Sequence, residues 1–382
     1  IFLSEKRTRT IFLLIIVNGL LKLELQGGIK MPTITLKLEL HKPTKAKQSM
    51  YEKMTQMNTA FANWLLNHPN LNRATSKIWK DFSTEKFPSA VAGQTIRDVK
   101  SKKKNQKAKS FKVHWCTFNN QNIKIEKKGS LYTVSFPTLE KRIGVPVVAR
   151  EYQQKWLERI VQGDIKLGAA TLHKKRKKWY IAVSISFDVE PTSGTKVMGI
   201  DLGLRYIAVA SVGTKSLFFK GNQYAFVRRR YAALRRRLGK AKKLDAIRKI
   251  GNKESRWIKD QNHKISRKIV DFAIANGVGI IRMENLTAIR EHRKSRTSDP
   301  GRSLHSWPFY QLQHMIAYKA KIAGIRVELV NPKNTSITCK CGHCDKNNRH
   351  GIIFRCKKCG YTIHADLNGA INIAKAISGL SA

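Results

Sequence analysis

The chain has 382 residues, enough for two or three domains with cores of their own. Lys and Arg number 74 against 25 Asp and Glu, and the formal charge of +49 opposes compaction unless a polyanion shares it, so nucleic acid is the expected partner. The basic residues run along most of the length rather than in one block, which disfavours an anionic membrane, and five of the six cysteines fall between 339 and 359, which disfavours a secreted disulfide framework.

In chain order, Ile11 to Leu21 is an apolar run behind several basic residues. It is shorter than a membrane span and lacks a clear small-residue cleavage site. We expect residues 1–30 to be a non-native or disordered extension, the folded protein to start near Met31, and the whole to be soluble and intracellular with no membrane partner. The alternation from Met31 to Leu38 predicts a strand. Pro43 interrupts the chain before a helix in which Tyr51, Met54, Phe61 and Leu65 share one face, and a second helix is expected near Ala90 to Val99. Lys100 to Ser110, which includes Lys102, Lys103 and Lys104, reads as a solvated linker or a phosphate-contacting turn. Strands follow from Phe111 to Phe136 with Gly129 at a hairpin, then a helix from Arg150 to Val161. A second hairpin pairs Ile165–Leu172 with Trp179–Phe187, and Lys175, Arg176 and Lys177 at its tip suit phosphate. Trp179, Ile181, Val183, Ile185 and Phe187 alternate, so one face of that strand is core. Cys116 lies in an apolar-aromatic strand and is expected to be a core residue.

Pro191 to Thr195 is a short linker. Beyond it, Lys196 to Gly203 predicts a strand ending on Asp201, and Ile207–Ala210 and Leu217–Phe219 predict two more strands joined by tight turns. Phe226 to Ala273 is helical and basic, with Gly239 or Gly251 breaking it into a hairpin. Its Arg triplets repeat seven residues apart, placing Arg228 and Arg229 in step with Arg235 and Arg236 as a nucleic-acid backbone surface. Gly277 to Leu286 predicts a buried strand carrying Glu284, Arg290 to Ser303 a basic loop, Trp307 to Ala323 a helix and Ile325 to Val330 a strand. A final helix opens at Asp366 and runs through Ile377.

Two constellations carry chemistry. Phosphodiester hydrolysis at neutral pH needs an activated water and neutralised oxygens, which two divalent ions about 3.5–4 Å apart supply, held by a few carboxylates. If the strand of Asp201 and the strand of Glu284 are neighbours, their acids lie side by side, and Asp366 at a helix start completes a Mg²⁺ (or Mn²⁺) site. That order of elements is the logic of an RNase H-like fold; the alternative is three structural acids, with Asp366 capping its helix. The second constellation is thiolate. Cys356 and Cys359 form a knuckle, and two of Cys339, Cys341 and Cys344 complete a structural Cys₄ site for one Zn²⁺. Cys341 and Cys344 have the preferred spacing, while Cys339 and Cys341 have the glycine after the pair, so spacing leaves the choice open.

At these residues the chain resembles the TnpB family, the insertion-sequence OrfB proteins related to compact type V CRISPR effectors. The resemblance rests on Gly199-Ile200-Asp201-Leu202-Gly203, Met283-Glu284-Asn285-Leu286, Tyr318-Lys319-Ala320, Asn331-Pro332 with Thr335-Ser336, the cysteine pairs, and Ala365-Asp366-Leu367-Asn368-Gly369-Ala370. These stand in the family's order over residues 195–375, although the first cysteine pair is one residue shorter than the usual Cys-x-x-Cys. The resemblance implies an α+β multidomain protein: a RuvC-like (RNase H-like) nuclease domain at 191–334 and 361–382, and a Cys₄ zinc ribbon for target nucleic acid at 335–360. It further implies a β-barrel-like wedge domain at 31–42 and 106–190, carrying a helical recognition insert at 43–105. It implies a transposon-encoded, RNA-guided DNA endonuclease with a guide RNA and double-stranded target DNA as partners, and Asp201, Glu284 and Asp366 as catalytic carboxylates. Base pairing would then carry most of the specificity while the protein holds backbone and reads a short adjacent motif. A prokaryotic cytoplasm, nucleoid-associated when on DNA, and a monomer are the matching expectations. The alternatives are a guide-bound repressor that does not cut, which has no need of the three acids, and an unguided transposase or resolvase, which has no need of the ribbon and the large N-terminal half.

Overall fold

The computed structural model describes residues 31–286, 309–331 and 333–376, with a short backbone pairing of Ile16–Val17 and Leu20–Leu21. Most of the 1–30 stretch, the Arg290–Ser303 loop, Trp307, Pro332 and Ile377 lie outside the described residues. The chain divides into two compact units, 1–188 and 189–382.

In the first unit, β1 (Thr33–Leu40) leads through Pro43 into α1 (Lys45–Asn67), whose start is capped by Thr44 Oγ1 accepting from the Lys47 N–H at 3.3 Å. Tyr51, Met54, Phe61 and Leu65 on α1 are fully buried. α2 (Ser89–Gln106) packs on α1 through Ile96 and Val99, and Trp79 joins them in a core separate from the sheet. Here one expectation is corrected. Lys102, Lys103 and Lys104 occupy the last turns of α2, not a linker, and the helix stops only where Lys107 turns left-handed at φ 48°. The lysine run continues a helix because lysine is a good helix former and a carbonyl partner is at hand: Lys103 Nζ donates to Leu66 O at 2.6 Å.

The strands are β2 (Thr117–Phe118), β3 (Lys124–Lys128), β4 (Leu131–Pro137) and β5 (Arg142–Val148), then β6 (Lys166–Lys175) and β7 (Lys178–Ser186) after helix α3 (Glu151–Val161). They join β1 in one seven-stranded antiparallel sheet ordered β2-β6-β7-β1-β5-β4-β3. The inward residues of β7, with Phe187 just beyond it, are buried, as their alternation requires. The hairpin tip is tighter than the sequence suggests, because Lys174, Lys175 and Lys178 already belong to the strands and Arg176 turns the chain at φ 58°. Cys116 is fully buried, and burial pushes its thiol up to about 12.

In the second unit, β8 (Lys196–Asp201), β9 (Tyr206–Val212) and β10 (Lys215–Lys220) form an antiparallel meander. α4 (Asn222–Lys240), α5 (Leu244–Ile250) and α6 (Lys253–Ala275) follow, then β11 (Val278–Glu284), α7 (Phe309–Ile322), β12 (Arg326–Val330) and, after the cysteine region, α8 (Ala365–Lys375). The basic helical stretch breaks after Lys240 and again at Gly251 (φ 47°), while Gly239 lies inside α4. The five strands are ordered β10-β9-β8-β11-β12, with β11 parallel to both β8 and β12.

Alternation divides the two faces of this sheet. Met198, Ile200, Ile281 and Met283 point into a core built with Ile265 and Ile269 of α6 and Leu312 and Ile316 of α7. Gly199, Asp201, Arg282 and Glu284 point the other way, towards α8. A Cβ on Gly199 would stand 2.0 Å from Ala370 O, so α8 lies on the bare backbone of β8. Arg282 Nη1 donates to Ala374 O at 2.8 Å and caps the far end of α8.

Candidate functional site: a carboxylate cluster beside four thiols

The parallel pairing sets Ile200 opposite Met283, so Asp201 and Glu284 come one residue later at the same ends of adjacent strands. α8 brings the third acid. Asp366 sits in the first turn of α8, and the cap is not its carboxylate but His364, whose Nδ1 accepts from the Asp366 N–H at 3.3 Å. The capping role considered for Asp366 is thereby taken by another residue. Gly369, one turn along, would place a Cβ 2.9 Å from Asp201 Oδ2, so a larger residue there would push that carboxylate from its present position.

Burial, with Glu284 and Asp366 nearby, pushes Asp201 up to about 7, and the Arg349 guanidinium opposes that rise. Glu284 is raised by burial, against the hydrogen bond it accepts from Thr335 Oγ1 (2.5 Å). Gln313 Nε2 donates to the backbone carbonyl of Glu284 at 2.7 Å, fixing the strand end. Arg349 Nη2 donates to Asp366 Oδ1 at 2.6 Å in a half-buried ion pair. The structure thus brings together all three acids expected to act jointly, short of positive charge to balance them. Carboxylate oxygens are the donor type that divalent cations take, whereas among the described residues the group whose donor atoms all lie within 4.8 Å of one another is the set of four thiols. Arg349 is a residue of this site that sequence reasoning does not find, and Thr335, quoted from the sequence only among the motifs of the resemblance, has no role assigned there. Arg349 is one of 74 basic residues, with nothing in its neighbours to single it out.

The thiol cluster stands immediately before Asp366 in the chain. Cys339, Cys341, Cys356 and Cys359 offer Sγ atoms all within 4.8 Å of one another; Cys339–Cys359 is 3.6 Å and Cys341–Cys356 is 3.7 Å. Tetrahedral sulfurs about 2.3 Å from a zinc ion stand about 3.8 Å apart, so the donor set fits such an ion. Cys344, the third candidate, lies outside the group. Gly342, at φ 85°, turns the chain straight after Cys341, and Cys344 is carried onto a bridge with Thr338. Burial pushes Cys339 up to about 12; Cys356 falls to about 6 although burial opposes it, because the Cys359 and Lys358 N–H groups stabilise its thiolate. Strands β13 (Arg349–His350), β14 (Ile353–Arg355) and β15 (Thr362–His364) make an antiparallel sheet around Phe354. This sheet runs on to His364, four residues past the expected boundary at 360, because β15 pairs with β14 before α8 begins.

The basic candidates divide. Lys175, Arg176 and Lys177 are exposed at the β6–β7 tip, flanked by Lys174 paired to Glu52 and Lys178 paired to Glu39 at 2.6 Å. Lys104 is exposed on α2, whereas Lys102 covers the Phe111 ring at 5.3 Å. On α4, Arg228 and Arg235 turn to the buried Glu254 at 3.8 and 2.7 Å, leaving Arg229 and Arg236 on the exposed side. Among the described residues no helix is long and apolar enough to cross a membrane.

Comparison with known proteins agrees with this architecture. Residues 180–290 match the family model OrfB_IS605, described as "Probable transposase", and residues 309–373 match the model described as "Cas12f1-like, TNB domain". The CRISPR-associated endodeoxyribonuclease Cas12f1 of Sulfoacidibacillus thermotolerans is 36% identical over 260 residues, which are 62% of this chain and 60% of that protein. TnpB-like protein MJ0751 of Methanocaldococcus jannaschii is 28% identical over 246 residues, 62% of this chain and 87% of that protein. A cryo-EM structure of a Cas12f1–sgRNA–target DNA complex superposes with a TM-score of 0.68 at 19% identity, covering 87% of this chain and 83% of that one. The fold is therefore the mixed α+β architecture of the Cas12 effectors, with a cysteine cluster built in. The chain is thus similar, over its matched stretches, to the OrfB_IS605 transposase family, to the Cas12f1-like TNB domain and to TnpB-like and Cas12f1 proteins. The match to Cas12f1 spans about 60% of that relative's length.

Proposed function

We propose that the second unit is a RuvC-like nuclease domain with a zinc ribbon inserted before its last helix, and that the whole chain is an RNA-guided DNA endonuclease. The observation that carries the proposal is the convergence of Asp201, Glu284 and Asp366, on two parallel strands and one helix N-terminus, beneath Arg349. The relatives support it by name: one is an endodeoxyribonuclease, and the superposed structure is a complex with guide RNA and target DNA. In the first unit, we take the seven-stranded sheet as the wedge and helices α1 and α2 as the recognition insert.

Divalent cations held by Asp201, Glu284 and Asp366 would supply charge neutralisation at the scissile phosphate and an acidified water. The protein's own share is orientation. Thr335 holds one Glu284 oxygen and leaves the other for a ligand. Arg349 engages one oxygen of Asp366 in the same way, and Gly369 lets Asp201 reach under α8. Zinc is the ion that the four thiols suit, and its role there is structural. The exposed Lys175, Arg176, Lys177, Arg229 and Arg236 would contact the nucleic-acid backbone.

The test is cleavage by protein co-purified with its RNA, whose sequence defines the target. Asp201→Ala should abolish cutting, with a loss of at least about 10³-fold, while RNA and target binding persist. Full cleavage by that variant in Mg²⁺ would refute the assignment. Target binding without cutting by the wild type would instead identify a repressor.

A further inference from the structure

Two routes of hydrogen bonds and intervening backbone link the segments that carry the thiols to two of the three carboxylates, Asp366 and Glu284. The first starts at the knuckle of Cys356 and Cys359. Lys357 N–H donates to Asn348 Oδ1 at 2.9 Å, and Asn348 Nδ2 donates to Ile337 O at 3.0 Å. Asn348 is fully buried, so its amide ties the second knuckle to the segment that enters the first. The next residue is Arg349, which holds Asp366. The second route starts beside Cys339. Asn368 Nδ2 donates to Thr338 O at 2.9 Å, and Asn372 Nδ2 donates to both Thr335 O and Thr338 O at 2.8 Å. Thr335 in turn holds Glu284. Each route begins at a metal knuckle and ends on a different carboxylate.

A ribbon with so small an apolar core, formed around Phe354, depends on its metal to stay folded. Resting on the two-metal reading above, we infer that the zinc ribbon is the positioning scaffold of the carboxylate site, so that zinc binding at the thiols sets divalent-ion affinity at Asp201, Glu284 and Asp366. Thr335 and Asn348 are the positioning residues that transmit it. Neither thiol nor amide touches the catalytic ions; the effect passes through the orientation of the carboxylates.

Full-length protein freed of nucleic acid is titrated with Mn²⁺ and read by electron paramagnetic resonance, with zinc content measured in parallel. Cys359→Ser should lose zinc and weaken Mn²⁺ binding about 10–100-fold, the scale of a missing outer-shell partner. Cys344→Ser, outside the thiol group, should change neither. Thr335→Val keeps shape and zinc but removes the hydroxyl, and should weaken Mn²⁺ binding by a similar factor, with Thr335→Ser restoring it. Asn348→Ala should lower both zinc content and Mn²⁺ affinity. Unchanged Mn²⁺ affinity in zinc-free Cys359→Ser and in Thr335→Val overturns the inference. If Cys359→Ser does not fold, Thr335→Val with its Ser rescue decides alone. An Asp201→Asn protein that binds Mn²⁺ as tightly as the wild type would overturn the carboxylate reading itself, and this inference with it.

Discussion

Asp201 combines a strand-end backbone, a buried carboxyl and two acidic neighbours, and its proton reports on all three. A free aspartate titrates near ~3.9, whereas burial and the neighbouring acids push Asp201 up to about 7. Between these values the folded, divalent-free protein keeps a proton that the unfolded chain has lost. Linkage then makes stability fall as pH rises through that window, because the native state binds more protons there. Glu284, raised in the same direction, adds to the effect. We expect the urea midpoint of the divalent-free wild type, relative to Asp201→Asn, to drop between pH 5 and pH 8. A divalent ion must displace the same proton, so Mn²⁺ affinity should climb with pH up to about 7 and then level. A midpoint difference independent of pH would show that Asp201 is not held as the buried acid described.

At the scale of elements, the site depends on how closely α8 lies on β8. Gly199 has no room for a methyl group: Ala370 O at 2.0 Å and Ala374 N at 2.5 Å are backbone atoms of a packed helix and cannot swing aside. Gly199→Ala should therefore cost more than about 2 kcal/mol in urea unfolding and displace α8, lowering cleavage even in the folded fraction. Gly213→Ala, at a turn with φ 56° and open space around it, should cost only about 1 kcal/mol and leave cleavage unchanged. Much of this geometry is legible in the sequence. The alternation that buries Met198 and Ile200 also places Asp201 on the opposite face, and the apolar run before Glu284 marks it as a strand neighbour. The end of α2 is not legible: a lysine run reads alike as helix or loop until its carbonyl partners, such as Leu66 O, are in place. The role of Cys339 is open for a similar reason. A single residue between ligands suffices only where the chain turns at Gly342, and turn geometry is weakly written in composition.

At the scale of the molecule, the excess of basic residues sets how the protein would meet the nucleic acid proposed above. Binding that neutralises six to ten phosphates should weaken by about 10³–10⁵ between 50 and 200 mM salt. Replacing Lys175, Arg176 and Lys177 together with alanine should flatten the logarithmic salt slope by about one for each phosphate these side chains neutralise. Filter binding with the co-purified RNA measures both, and a salt-independent affinity would remove the electrostatic account. The charge is not all available for this purpose. Arg228 and Arg235 are held by Glu254 and Arg349 by Asp366, so position within the fold decides which cations meet solvent.

The sequence by itself pointed to a polyanionic partner through its charge, to a thiol set of metal-ligand spacing through cysteine clustering, and to the three carboxylates through their places on strand ends and a helix start. These are one-dimensional properties: a count, a spacing and a period. Only the tertiary structure decided that Cys339 and Cys341 complete the thiol set, that His364 and not Asp366 caps α8, and that Thr335 and Arg349 hold Glu284 and Asp366. Those pairs join residues 51 and 17 positions apart, and a hydrogen bond across such a separation is fixed by packing rather than by any local pattern.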